Sequence, residues 1–241
     1  MKEVQDAYGR QVYDYLKRKE AWQICERDDG FFGVSAGANY YFSEYEKWND
    51  REKKAIRFVK DRVLDIGCGA GRVSLYLQRK GFDVLGVDVS PLAVRVCKLR
   101  GLRQVKLIPM TKLSAKLGMF DTIIMFGGNF GLFGNPKRAR SLLGRFRGMT
   151  SRNARILAES VDPHKTTNPA HLEYHKLNKS RGKMPGQVRI RVRYGKYVTP
   201  WFEYLLVSKN EMQSILKGTG WKLTKMIRSK GPAYVAVIEK E

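Results

Sequence analysis

The most specific chemistry in this sequence lies in one run, Val63-Leu64-Asp65-Ile66-Gly67-Cys68-Gly69-Ala70-Gly71, and in Asp88. A strand-like stretch leads into a glycine-rich turn, and helical residues resume at Arg72. Glycines there let the backbone approach a ligand closely at the carboxyl end of a parallel strand. Asp88 comes 17 residues after Gly71, at the end of the next strand-like run, where a carboxylate can accept both hydroxyls of a ribose. The turn departs from the dinucleotide fingerprint Gly-x-Gly-x-x-Gly, because its third glycine arrives one position early and Asp65 precedes the first. A carboxylate at that place repels a pyrophosphate and attracts an ammonium. The pattern predicts a nucleoside cofactor bearing a free ammonium, and S-adenosylmethionine is such a molecule.

Other groups bear on the acceptor. The three histidines, His164, His171 and His175, include an i, i+4 pair that shares a face if the segment is helical. A histidine can serve as general base near neutral pH, although surface positions on a lid fit them equally well. No metal is expected, since these histidines lack a fitting carboxylate or cysteine set. Phe126-Gly127-Gly128-Asn129 ends the fourth strand-like run, where Asn129 could orient a substrate or simply form a turn. The Asn/Asp-Pro-Pro-aromatic signature of base-amino methylation is absent there, and no cysteine follows Cys97 to attack a cytosine ring. Arg189, Arg191 and Arg193 alternate with Val188, Ile190 and Val192, which puts three guanidinium groups on one strand face. That stripe could clamp a carboxylate or phosphate, line an RNA surface, or face solvent. Tyr40, Tyr41, Phe42, Tyr45 and Trp48 could form an aromatic wall over a sulfonium or pack a loop.

The elements that position these residues follow from periodicity. Arg62–Ile66, Asp83–Val87, Val105–Ile108, Thr122–Phe126 and Arg155–Ala158 read as strands, with helices at Arg72–Lys80, Pro91–Arg100 and Pro136–Met149 between them. Such alternation implies right-handed βαβ units and a parallel sheet. Val4–Lys19 reads as an amphipathic helix, residues 27–47 as a structured loop, and Asn49-Asp50-Arg51-Glu52 as a capping box. After a polar stretch to Gly186, Gln187–Tyr194 and Tyr197–Val207 form a hairpin, and Trp221–Ile227 and Ala233–Glu239 close the sheet as antiparallel edge strands. The expectation is one domain over 1–241, with an N-terminal cap segment (1–60), a cofactor-binding core (61–160), an insertion hairpin (161–207) and a closing helix and strands (208–241). The 241 residues carry a formal charge of +23. The first 60 residues hold 12 basic and 11 acidic side chains, against 18 and 6 over 61–160 and 16 and 6 over 161–241. A field of this kind attracts nucleic acid, anionic lipid or acidic small molecules, or only solvates the surface. Without a signal sequence, membrane span or disulfide framework, a cytoplasmic location is expected.

Val63-Leu-Asp-Ile-Gly-Cys-Gly-Ala-Gly-Arg-Val, Gly86-Val87-Asp88-Val89-Ser90 and Phe120-Asp121-Thr122-Ile123-Ile124 together resemble the class I S-adenosylmethionine-dependent methyltransferases, in the subgroup acting mostly on small molecules. The resemblance covers residues 60–160 specifically and 208–241 loosely. It implies a Rossmann-like α/β fold, with a seven-stranded, mostly parallel sheet whose last strand is antiparallel and with the hairpin and N-terminal segment as a partial cap. It further implies that Gly67 and Gly69 face the methionine part of the cofactor, Asp88 the ribose, and the third strand's end the adenine. Pro109-Met110-Thr111 stands there in place of the family's frequent acid, so backbone groups near Met110 and Thr111 are expected to read the ring. Asp65, Cys68, Gly71, Val89, Phe126 and Tyr41 complete the expected cofactor set, with His164, His171, His175 and Asn129 as catalytic candidates. The expected activity is methyl transfer to oxygen or nitrogen of a small-molecule acceptor that could be anionic. An RNA methyltransferase and a non-catalytic cofactor-binding module are the alternatives.

Overall fold

The computed structural model describes residues 3–17, 20–35 and 37–241. In chain order its elements are α1 (Ala7–Leu16), β1 (Ile24–Arg27), β2 (Phe32–Val34), α2 (Asp50–Ala55), β3 (Arg62–Ile66), α3 (Arg72–Arg79), β4 (Asp83–Asp88), α4 (Pro91–Leu99), β5 (Val105–Leu107) and β6 (Phe120–Met125). They continue with α5 (Pro136–Arg147), β7 (Thr150–Val161), α6 (Pro169–Ser180), β8 (Gln187–Tyr194), β9 (Tyr197–Val198), β10 (Phe202–Leu205), α7 (Lys209–Leu216), β11 (Trp221–Arg228) and β12 (Ala233–Lys240). Seven strands follow the order β11-β12-β7-β6-β3-β4-β5. Neighbours β3–β4, β4–β5 and β6–β7 are parallel, and β12 runs antiparallel to both β7 and β11. This is the expected Rossmann-like sheet with its antiparallel last strand. Its C-terminal end differs in one respect, since β12 lies between β7 and β11 and only β11 is an edge. The burial of Tyr234–Ile238 explains the inner position, whereas β11 carries the exposed Lys222, Thr224, Lys225 and Arg228 that an edge tolerates.

Two compact units divide the chain. Unit one comprises residues 1–48, 60–113 and 190–201. Its parallel strands β3 and β4 are held by buried Val63, Leu64, Ile66, Val84, Leu85 and Val87. Helix α4 starts as the sequence requires, with Ser90 as N-cap accepting from the Ala93 N–H and Pro91 in the first turn. A stretch read as loop, 27–47, instead contributes strand β2 and two 3₁₀ turns, and β1 begins just before it. β1 and β2 are short and lack alternation; they form because β1 pairs with β8, Glu26 opposite Arg191, across more than 160 residues of chain. The second hairpin arm is split in two: Pro200, with no N–H to donate, lies between β9 and β10, and both pair with β8.

Unit two comprises residues 49–59, 114–189 and 202–241. Helix α5 buries Ala139, Leu142, Leu143 and Phe146 along one face. The polar stretch before Gly186 contains α6, started by the Asn168 N-cap and Pro169. Helix α7 starts with a capping box of Ser208 and Glu211.

Candidate cofactor loop and acceptor loop

In unit one the backbone N–H groups of Gly67 and Cys68 both donate to the Val87 carbonyl, at 2.9 and 3.1 Å, tying the glycine turn to β4. The Gly69 N–H donates to Asp88 Oδ2 and the Ser90 N–H to Asp88 Oδ1, each at 2.9 Å. The Asp88 carboxylate, 8% exposed, is therefore fixed through both oxygens, and each oxygen keeps lone-pair capacity for a further donor. Burial raises its pKa. Asp65 is buried beneath the turn and accepts the Ser74 hydroxyl at 2.6 Å, and burial pushes its carboxyl up to about 6. Gly71, at φ +80, adopts the left-handed conformation that starts α3.

Cys68 contributes only backbone to this turn. Its thiol points into an apolar cluster with Leu75, Cys97 and Leu102, 3.9 Å from the Cys97 sulfur. Val89 is exposed after Asp88, and Met110 is buried in a 3₁₀ turn beyond β5 with Thr111 exposed beside it. Tyr41 packs edge-on against Tyr8 with ring centroids 5.0 Å apart. Tyr8 was not among the expected site residues. A Cβ placed on Gly69 would come 2.5 Å from its hydroxyl oxygen, so the Tyr8 phenol stands at the opening that Gly69 leaves. Asp6 fixes α1 there, accepting from the Gly9 N–H (3.0 Å), the Ser90 hydroxyl (2.9 Å) and the Leu92 N–H (3.1 Å). The expected helix Val4–Lys19 takes Asp6 as a helical residue, whereas α1 starts at Ala7 with Asp6 as its N-cap, and the reach of 84 residues to Ser90 is likewise a product of the fold. In the aromatic run, Tyr40 and Trp48 bracket the Arg72 guanidinium, whose carbon lies 4.5 and 4.6 Å from their ring centres. The arginine stripe on β8 is neutralised in part, because Arg191 and Arg193 both donate to Glu26 and hold its carboxyl down at about 2.

In unit two the chain leaves β6 at the buried Phe126, and the Gly127 N–H donates to Glu159 Oε2 at 2.6 Å. Glu159 Oε1 accepts Arg51 Nε and Nη2 at 2.8 and 2.7 Å, and Arg51 Nη1 reaches the Ser229 hydroxyl at 3.1 Å. Glu159 is 3% exposed, and burial raises its pKa against the pull of Arg51. Further along, Tyr204 donates its hydroxyl to the Gly128 carbonyl at 2.5 Å, and its ring occupies the space a Cβ on Gly131 would need. Asn129 opens the 3₁₀ turn between those two anchors. Of the histidines, His164 pairs with Glu211 at 3.2 Å and its ring lies 6.3 Å from that of His175, while His171 meets the Thr166 hydroxyl at 3.2 Å. Among the described residues no group of His, Cys, Asp and Glu could hold a metal ion, and no helix is long and apolar enough to cross a membrane.

A parallel sheet with a glycine turn after its first strand and a carboxylate closing the next is the nucleoside-binding arrangement of a Rossmann-like α/β protein. Residues 63–150 match the family model described as a methyltransferase domain. The whole chain superposes on a SAM-dependent methyltransferase from Bacteroides fragilis in complex with S-adenosyl-L-homocysteine, with TM-score 0.82, 21% identity, and coverage of 100% of this chain and 97% of that one. The CcbJ methyltransferase from Streptomyces caelestis shares the fold at TM-score 0.63 and 13% identity, covering 98% of each chain. A 23S rRNA (uracil(747)-C(5))-methyltransferase of Pyrococcus abyssi (strain GE5 / Orsay) is 40% identical over 80 residues, 32% of this chain and 20% of that protein. A ubiquinone biosynthesis O-methyltransferase of Xylella fastidiosa (strain 9a5c) is 46% identical over 53 residues, 22% of each chain. The chain thus matches about a fifth of the length of these curated relatives. Residues 63–150 carry the methyltransferase-domain pattern, and the chain as a whole shares the fold of S-adenosylmethionine-dependent methyltransferases.

Proposed function

We propose that this protein uses S-adenosylmethionine to methylate an oxygen or nitrogen of a small acceptor. The observation that carries the cofactor half is the Asp88 carboxylate, held by the Gly69 and Ser90 N–H groups with lone pairs left for two ribose hydroxyls. The buried Asp65 carboxyl, pushed up to about 6, is a site where an ammonium would relieve the cost of ionisation. At Gly69 the space a Cβ would take is held by the Tyr8 hydroxyl. These residues fit the cofactor, with Gly67 and Gly69 at its methionine part, Asp88 at its ribose, and the Met110–Thr111 backbone at its adenine. When bound, it supplies an electrophilic methyl group on a sulfonium.

The protein's own contribution is to hold the donor, orient the acceptor and exclude water, so that catalysis comes mainly from proximity and desolvation. We assign the acceptor to the Phe126–Phe133 loop, whose Gly127 N–H and Gly128 carbonyl are already committed to Glu159 and Tyr204. Peptide groups fixed in this way present the rest of the loop in one conformation. The missing base-methylation signatures support a small acceptor, and three free thiols fit the reducing cytoplasm. Labelled methyl from S-adenosylmethionine should pass to a component of a small-metabolite extract. Thermal stabilisation by S-adenosylhomocysteine without any such transfer would instead identify a cofactor-binding module.

A further inference from the structure

Charge is unevenly divided between the units. Unit two holds 25 Lys and Arg against 10 Asp and Glu, and the rest of the chain holds 21 against 13. Part of the excess converges on a groove of about 460 Å³ in unit two, lined by Lys54, Arg57 and Phe58 on one side and by Lys225, Met226, Ile227 and Arg228 of edge strand β11 on the other. No acid lines it. A few basic groups of the same unit have counter-ions, as Arg51 has Glu159, Arg155 has Glu239 and Lys183 has Glu203. Among the described residues Lys54, Arg57, Lys225 and Arg228 have none, and all four are exposed. Arg51 and Lys54 leave the same helix, one into a buried ion pair and the other into this groove.

The groove also has a ring to offer. Phe58 is half-buried between the two sets of cations, with Lys225 Nζ 5.2 Å from its centre, and its carbonyl is pinned by Arg155 Nη1 at 3.1 Å. Arg228 Nε lies 3.1 Å from the Met226 sulfur, which keeps that guanidinium beside the strand. Four cations without counter-ions around a fixed aromatic and thioether surface make a backbone-tracking, base-stacking arrangement. A bilayer is served differently, by a projecting amphipathic helix with an apolar face. We propose that this groove binds a segment of single-stranded RNA, the four cations meeting its phosphates and Phe58 a base. The inference goes beyond the methyl-transfer reading and stands or falls without it.

The test is fluorescence anisotropy of a labelled oligouridine with the full chain across a salt series. Wild type should bind with an affinity that falls steeply with salt. Lys54→Glu/Lys225→Glu should weaken binding about tenfold or more and lower the salt slope by about 1 or more, given roughly 0.7 per single-strand phosphate contact. The control Lys106→Glu/Lys116→Glu makes the same change in net charge at exposed sites outside the groove and should stay within about twofold. Phe58→Ala should lose about tenfold with an unchanged slope. If the glutamate pair fails to fold, Lys54→Gln/Lys225→Gln should show the same ranking at smaller size. Equal losses in groove and control variants, or no binding at low salt, would overturn the proposal. So would unchanged RNA affinity in a groove variant that no longer sediments with phosphatidylserine vesicles.

Discussion

Two glycine loops at the ends of parallel strands are built by opposite means. The loop Gly67–Gly71 is fastened by groups close along the chain, since Val87 and Asp88 hold three of its N–H groups and Ser74 holds the Asp65 beneath it. The loop Gly127–Gly131 is fastened from far away, by Glu159 and Arg51 at one end and Tyr204 at the other. The first loop is nearly independent of the rest of the sequence, so one fold can carry it unchanged. The second takes its shape from distant segments.

That contrast can be broken by substitution. The largest effect is expected from Asp88→Ala, which should abolish thermal stabilisation by S-adenosylhomocysteine, with Kd from calorimetry rising more than about a hundredfold as both ribose contacts are lost. Unchanged binding would show that Asp88 is misassigned. Glu159→Ala strands the Arg51 guanidinium, 18% exposed, and should cost about 3–5 kcal/mol in urea unfolding, while S-adenosylhomocysteine affinity in the folded fraction stays within about twofold. A parallel collapse of cofactor affinity would erase the distinction between the loops.

A smaller effect follows from Asp65, which holds its proton more tightly folded than unfolded. Its contribution favours the folded state below about pH 4 and is lost as the pH rises through about 6. Asp65→Asn should remove that slope, worth at most about 3 kcal/mol between pH 4 and 7, and saturating S-adenosylmethionine should shrink it in wild type by favouring the carboxylate. A pH profile identical in wild type and variant would refute the assignment. The smallest change, Tyr204→Phe, deletes one hydrogen bond to the Gly128 carbonyl and should cost about 1 kcal/mol of stability. It should also raise KM for the acceptor while leaving cofactor affinity alone.

Most of the parallel sheet is legible in the sequence, because apolar runs alternating with capped helices state their own period. The strands β1 and β2 are not, since Ile24–Arg27 and Phe32–Val34 show no alternation and exist through pairing with β8 and with each other. The arginine alternation on β8 is equally plain as a pattern, yet Glu26, opposite it, decides that two of its guanidinium groups are paired. The aromatic run 40–48 is likewise visible as composition, and only packing shows that Arg72 lies between two of its rings.

By itself the sequence determined the seven-stranded class of fold, the glycine turn and the Asp88 carboxylate, because each is written within a few residues or at one fixed helix-and-strand spacing. The tertiary structure decided that Tyr8 stands beside Gly69, that Glu159 holds the Gly127–Gly131 loop, and that Lys54 and Arg57 share a groove with Lys225 and Arg228. These contacts join segments from about 30 to 170 residues apart. No local period encodes them, and they arise only when burial and ion pairing select one packing among many.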